Sequence, residues 1–300
     1  MDIAISFDKN YLTPFYALIT SIFINNSNEK FSFHCIVKND VTDIEKNKII
    51  EYVNQNGASI KMYNIEDEIV SSFVVSGKWT TSVYYKMFFP ILVEKNIKKL
   101  IYLDTDMLVV GKLNSLYNTE LGDQPLAAVY DNYVKIQPDL GIFEEGNYFN
   151  SGMLLYNIPV WNKLNISQKA VDFLTNYPEK IKFVDQCALN GVILGNWIKL
   201  SEKFNLIYSY IPQDISQKDL DLFIKDKVVI HFTLQRPWNF LCRNRLRKLY
   251  KYYLLKSPAK SNQIINDFSV DKLIPYINLR VKEFYFDNNI IQKIWRFIKM

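Results

Sequence analysis

Residues 100–111, LIYLDTDMLVVG, form an apolar run interrupted by two aspartates with only Thr105 between them. Two ionised carboxylates at the end of a buried strand are costly unless something positive sits between them. Side chains two apart on a strand share a side, and a tight turn after the first would aim Asp104 and Asp106 into one cleft. Hard divalent cations take such oxygen donors, and Mg²⁺ or Mn²⁺ is commonly shared between one or two carboxylates and a substrate diphosphate. An Asp-x-Asp triplet also occurs in solvated loops and helix caps, so its weight comes from the apolar LIYL before it. That strand determines where the carboxylates must emerge.

A second candidate lies in VVIHFTLQRPW, residues 228–238. His231 follows an apolar strand, and the chain has only two histidines. A lone histidine at a strand end is more often a hydrogen-bonded structural residue than a ligand. Here its position offers a way to complete an Asp, Asp, His set, and imidazole suits Mn²⁺ better than Mg²⁺. Arg236, further along the same segment, presents a planar fork of donors suited to a diphosphate. A metal-dependent nucleotidyl- or phosphotransferase would also join paired carboxylates to such a fold. It would normally need a glycine-rich phosphate loop, and none of the nine glycines falls in a GxGxxG or GxxxxGK[ST] pattern.

The elements that must position these groups alternate along the first part of the chain. IAISFD (3–8), FSFHCIV (31–37) and ASIKMYNI (58–65) read as strands; YLTPFYALITSIFINN (11–26) and the segment opened by Thr42 and Asp43, with Gly57 as its C-cap, read as helices. A further helix through TTSVYYKMFFPILV ends or breaks near Pro90, and DKVVIHF (226–232) reads as the last core strand. PLAAVYDN and YFNSGMLLYN follow as strands, then a helix over about 159–176 and another opening VDQCALNGVIL. Over the first 110 residues the spacing of strands and helices predicts an α/β sheet with parallel pairing, right-handed crossovers and helices on both faces. In open sheets of that kind ligands gather outside the carboxyl ends of the strands. The acidic turns at Phe7-Asp8 and Leu103–Asp106 both sit at such ends and are expected to face one crevice.

Composition bounds the rest. The 300 residues, 49% hydrophobic and 22% charged, suffice for a substantial core, and the 20 Tyr and 20 Phe are a heavy aromatic load. Three scattered cysteines argue for a reducing compartment and against a disulfide framework or zinc knuckle. No signal peptide or spanning segment is visible, which places the expectation in the cytoplasm. The net charge is +5, and Arg236–Lys256 carries seven basic residues and no acid. Such a run favours a polyanionic surface or forms a solvated helix face. It leaves a non-enzymatic polyanion-binding protein as a rival reading, although no groove-reading motif accompanies it.

The ordered set ISFDKNY, LIYLDTDMLVVGKL, YFNSGMLLYN, VDQCALN and IHF followed by RPW resembles family-8 glycosyltransferases. These are retaining nucleotide-sugar enzymes that include bacterial lipooligosaccharide galactosyl- and glucosyltransferases and glycogenin. The resemblance spans residues 3–238 and implies a GT-A fold, a Rossmann-like nucleotide-diphospho-sugar transferase, over 1–238, with a helical C-terminal region over 239–300. It implies a UDP-hexose donor, glucose or galactose, and a carbohydrate, glycolipid or glycoprotein acceptor, with no nucleic acid. Asp104, Asp106 and His231 would hold Mn²⁺, or Mg²⁺ in its place. Uracil and ribose would lie near Asp8, Asn10 and Tyr11, with Lys86, Thr105 and Arg236 among the donor contacts.

The resemblance further places Asn150 near the donor sugar, Asp131 near its hydroxyls, and Asp185 and Gln186 beneath the anomeric carbon. Lys86 stands where many relatives have Arg, and Arg236 where they often have Lys; the charge is kept, but the two side chains are not interchangeable at a bidentate site. Gln186, an amide, is a poor nucleophile and Asp185 is the rival; same-face attack guided by the departing phosphate is the favoured expectation. At the C-terminus, QKIWRFIK interleaves Lys293, Arg296 and Lys299 with Ile294, Trp295, Phe297 and Ile298. The pattern fits a short helix lying on the inner face of an anionic membrane, or equally a terminal helix packed on the domain.

Overall fold

The computed structural model describes residues 1–65, 70–73, 75, 80–233, 235–260 and 265–299, without the side chains of 295–299. Among the described residues the predicted alternation becomes nine strands: β1 (Asp2–Phe7), β2 (Ser32–Val37), β3 (Ser59–Tyr63), β4 (Lys99–Leu103), β5 (Met107–Val109), β6 (Leu126–Tyr130), β7 (Phe149–Asn157), β8 (Ile198–Leu200) and β9 (Val229–His231). Seven form one sheet in the order β3-β2-β1-β4-β7-β6-β8, while β5 and β9 pair in a sheet of their own. The first three helical crossovers do what their lengths predict, and β3, β2, β1 and β4 run parallel.

Beyond the first 110 residues the parallel order ends: β7 runs antiparallel to both β4 and β6. Between β6 and β7 the chain makes only a 3₁₀ turn at Pro138–Leu140. Without a helix to cross a sheet face, the chain returns beside the strand it left, in the opposite direction. That reversal brings the start of β7 against the end of β4, where the Asp104 amide donates to the Gly152 carbonyl at 2.8 Å.

The apolar run 100–111 is likewise not one strand. It leaves the large sheet after Leu103 and re-enters structure as β5, which pairs antiparallel with β9 through Met107 and His231. DKVVIHF is therefore buried but is not a strand of the main sheet. The two aspartates occupy the step between sheets, which supplies the turn their spacing calls for.

Local signals account for the helices around this frame. Asp8 caps a 3₁₀ turn at Lys9–Tyr11 that leads into α1 (Leu12–Asn25). Thr42 and Glu45 form a reciprocal capping box on α2 (Asp43–Gln55), and Gly57 follows with φ +72, a conformation that favours glycine. The segment before β4 is a 3₁₀ helix, Thr81–Phe88, continued by a short α-helix, Phe89–Leu92, whose first turn takes Pro90 because no amide is needed there. The helix expected over 159–176 is two, Ile158–Lys163 and Ile166–Asn176, broken at Asn165 with φ 53. Asparagine tolerates that left-handed conformation better than most residues.

The basic run after Arg236 does not form a single charged face. Trp238, Leu246, Tyr250 and Tyr253 pack with Leu108 and Ile230, and the Asn25 amide donates to the Tyr253 hydroxyl at 2.7 Å. Arg245 is only 2% exposed, and Arg247 makes a bidentate contact to Glu283 at 3.1 and 3.2 Å. Glu283 also meets Arg280 and lies 3.9 Å from Arg245 Nε, so one carboxylate ties the helix Val270–Asp287 to the body. The terminal helix Asn289–Lys299 forms, but Trp295, Arg296, Phe297, Ile298 and Lys299, on which its amphipathic character rests, lie outside the described side chains. Among the described residues no helix is long and apolar enough to cross a membrane.

Replacing Glu283 by Gln leaves buried guanidinium charge without its carboxylate. Urea unfolding should register a loss of about 3 kcal/mol, at the lower end for breaking such pairs, with faster amide exchange in 270–287. Unchanged exchange there would remove Glu283 as the tether.

Candidate active site

Three elements deliver the acidic centre. Asp104 directly follows β4, the step to β5 carries Asp106, and β9 supplies His231; one ligand atom from each lies within 4.8 Å of the others. His231 Nε2 is 3.2 Å from Asp106 Oδ1. The Tyr102 hydroxyl, on the same side of β4, donates to Asp104 Oδ1 at 2.6 Å and contacts the Ser6 hydroxyl at 3.0 Å. Space for the imidazole comes from Gly152: a Cβ there would lie 2.3 Å from His231 Cε1 and 2.9 Å from Nδ1.

Beneath this set Lys86 is 2% exposed. Its ammonium reaches Asp104 at 3.1 Å and Asp185 at 3.0 Å, and donates to the Ser151 carbonyl at 3.3 Å. The 3₁₀ segment that carries it is braced by Tyr156, whose hydroxyl donates to the Lys86 carbonyl at 3.0 Å. Burial pulls the Lys86 pKa down, but Asp104 and Asp185 outweigh it and the ammonium is held above its ordinary value. Its charge is thus shared between two carboxylates of the protein.

The two aspartates of the triplet titrate in opposite directions. Burial raises Asp104 above the usual carboxylate range despite Lys86, with Asp106 adding repulsion. Burial also pushes Asp106 upward, but the His231 imidazole, through charge and hydrogen bond, and then Arg236 hold it below that range. A half-buried carboxylate that its ammonium partner does not bring below the usual range, next to a second carboxylate and an imidazole, is a donor set that fits a hard divalent cation.

A second group lies against the first. Asp185 and Gln186 occupy the first turn of the helix Val184–Ile193, which opens on Val184 at φ 33, an uncommon and strained conformation for a β-branched residue. Asp185 accepts the Ser151 hydroxyl at 2.7 Å. Gln186 Oε1 accepts the Ser151 amide at 3.1 Å, and its Nε2 donates to Asp131 Oδ2 at 3.1 Å. Asn150 donates to the same Asp131 oxygen at 3.0 Å. All four predicted residues, Asp131, Asn150, Asp185 and Gln186, are buried in one network.

The third group lines the β1 end. Asp8 is buried, accepts the Asn10 amide at 2.9 Å, and takes the Thr80 hydroxyl at 2.8 Å. Asn10 is exposed and Thr105 buried between the aspartates. The Arg236 guanidinium lies 5.4 Å from the centre of the Tyr11 ring, with Trp238 edge-on at 5.9 Å. Burial, followed by Asp106, raises the Tyr11 pKa well above its usual value, with Asp8 and Asp104 adding to the shift. Asp8 and Asp104 are joined by a run of hydrogen bonds through Thr80, Ser82, Ser6 and Tyr102, which brings the two acidic turns into one network.

Sequence reasoning passed over Gly152, Tyr102, Ser151 and Asn205. The first three stand inside motifs that were singled out, but their roles appear only once β7 is seen to run back against β4. Asn205 caps the 3₁₀ turn Glu202–Phe204 and carries no signal of its own.

The family model for Glycosyl transferase family 8 matches residues 2–242. A lipopolysaccharide 1,2-glucosyltransferase of Escherichia coli is 30% identical over 259 residues, covering 81% of this chain and 76% of that protein. A lipopolysaccharide 1,3-galactosyltransferase of Salmonella typhimurium is 27% identical over 285 residues, 88% of this chain and 83% of its own. Among solved structures, the galactosyltransferase LgtC in complex with donor and acceptor sugar analogs superposes with a TM-score of 0.73 at 21% identity, over 86% of this chain and 96% of that one. The likeness extends to the fold.

Lys86→Met removes the charge between the half-buried Asp104 and the buried Asp185 and should lower unfolding stability by about 3–5 kcal/mol, read by urea titration; a loss below 1 kcal/mol would mean the carboxylates find another counter-charge. Gly152→Ala should displace His231, with overpacking of about 1–3 kcal/mol and a Mn²⁺ affinity, followed by the electron-spin signal of free Mn²⁺, lowered at least tenfold. Unaltered affinity would show that the imidazole does not need that gap.

Proposed function

The chain belongs to glycosyltransferase family 8, and on that premise we propose that it moves a hexose from a UDP-sugar to a glycan or glycolipid acceptor with retention of anomeric configuration. The single observation that carries this reading is the Asp104, Asp106 and His231 cage, joined through Lys86 to Asp185 and from there through Ser151 and Gln186 to Asp131 and Asn150. The names of the relatives support a hexose donor and a lipopolysaccharide-like acceptor, and both glucosyl and galactosyl transfer are represented among them.

In this reading the cage holds a divalent ion, which when bound would neutralise the diphosphate as a Lewis acid. Tyr11, flanked by Arg236 and Trp238, offers an aromatic face to the uracil. Arg236, which stands close enough to lower the pKa of Asp106, offers its fork to the phosphates. Asp131 and Asn150 orient the sugar hydroxyls from below.

The same hydrogen bonds favour same-face attack over a covalent intermediate. The Gln186 carbonyl oxygen is engaged by a backbone amide and its nitrogen by Asp131. One oxygen of Asp185 takes both Lys86 and the Ser151 hydroxyl. A carboxylate paired in this way is a weakened nucleophile, and an amide is a poorer one. Gln186 and Asp185 instead present fixed dipoles and charge beneath the developing oxocarbenium ion.

A screen of UDP-glucose, UDP-galactose and their N-acetyl forms with Mn²⁺ should release UDP from one hexose donor in preference, and Asp106→Asn should reduce that rate roughly 10³-fold. No UDP release from any of the four, with and without glycan acceptors, would reject the assignment.

A further inference from the structure

The histidine of the cage is held by a relay of amides whose direction is set from the sugar side of the site. Asp131, an acceptor only, takes Asn150 Nδ2 at 3.0 Å. The Gly152 backbone amide, a donor only, gives to Asn150 Oδ1 at 3.1 Å. Asn150 therefore has one allowed orientation, anchored at both ends by groups that cannot reverse. Its Oδ1 also receives Asn205 Nδ2 at 2.9 Å, which forces Asn205 to turn its own Oδ1 toward His231 Nδ1, 3.0 Å away. Asn205 is 0% exposed, so no water competes for that oxygen.

We propose that Asn205 is a positioning residue that keeps the proton of His231 on Nδ1 and so directs Nε2 at the metal site, with Asp131 and the Gly152 amide setting the sense of the relay. The inference rests on the reading of Asp104, Asp106 and His231 as a metal cage. Ligating histidines generally donate their other ring N–H to an oxygen that fixes tautomer and ring angle. Here that oxygen belongs to a neutral amide, so the ring is oriented without adding a further negative charge to a site that already holds Asp104, Asp106, Asp131 and Asp185. Asn205 is a 3₁₀ cap residue at the end of Glu202–Phe204, and its neighbour Leu206 donates to the Val229 carbonyl at 2.9 Å while accepting the His231 amide at 3.0 Å. The backbone thus locks donor and acceptor of the relay in register.

The test uses the full chain with ¹⁵N-labelled histidine, loaded with diamagnetic Cd²⁺, and Mn²⁺ affinity measured separately by electron spin resonance. His34 is the only other histidine, and a His34→Gln protein assigns the signals. In the wild type His231 should ligate through Nε2 and retain a proton on Nδ1; ligation through Nδ1 overturns the proposal without any variant. Asn205→Leu, which removes the acceptor at similar volume, should weaken Mn²⁺ binding roughly 10–100-fold and lose the protected Nδ1 proton. Asn205→Asp, which keeps an acceptor facing Nδ1, should recover most of the affinity. Equal affinity in wild type and Asn205→Leu, or equal loss in Asn205→Leu and Asn205→Asp, would overturn the role. A wild-type protein that binds neither Mn²⁺ nor Cd²⁺ would instead reject the metal cage itself, while a bound metal with an indifferent Asn205 rejects only the relay.

Discussion

A single ammonium group compensates the acidic centre from below. Lys86 is buried between Asp104 and Asp185, and without it the buried Asp185 would lose its counter-charge and the half-buried Asp104 one of its partners. Buried charge is tolerated only when paired and hydrogen-bonded, so the placement of Lys86 constrains what surrounds it. The 3₁₀ segment must stay braced by Tyr156, β7 must offer the Ser151 carbonyl, and the helix that starts at a strained Val184 must bring Asp185 within reach. The ammonium still leaves Asp104 under-neutralised on its upper side, which is where the imidazole and second aspartate gather.

The departure of β7 from parallel order makes that gathering achievable. An antiparallel β7 places Asn150, Ser151 and Gly152 opposite the end of β4, so consecutive residues of one strand serve different groups. Asn150 serves Asp131 and Asn205, Ser151 serves Asp185 and Gln186, and Gly152 makes room for His231. Few of these side chains contact solvent, and nearly every donor in the network has one acceptor. Such networks are stiff because an unmade bond in a low dielectric is expensive.

The C-terminal segment shows how a charge pattern can mislead. Read linearly, Arg236–Lys256 is a basic patch. In the fold its aromatic residues decide the outcome: Trp238, Tyr250 and Tyr253 bury against the core, and the arginines between them are drawn inward with them. Glu283, from a helix far along the chain, then supplies the carboxylate those guanidinium groups require.

Local chemistry was written plainly enough to be read from the residues alone. The helix start at Thr42, the acidic strand end at Asp8, the parallel half of the sheet, the family resemblance carried by ordered motifs, and the candidates Asp104, Asp106 and His231 depend on short-range pattern, on spacing or on strand ends. What the linear chain could not disclose are relations between segments that no periodicity encodes. The step between two sheets that splits LIYLDTDMLVVG, the inward turn of Lys86, and the place of Asn205 behind His231 each depend on which buried polar groups find partners after the core has closed. Periodicity reports whether a residue is buried; only the assembled structure decides which donor meets which acceptor, because that pairing is settled by the shared low-dielectric interior rather than by neighbours along the backbone.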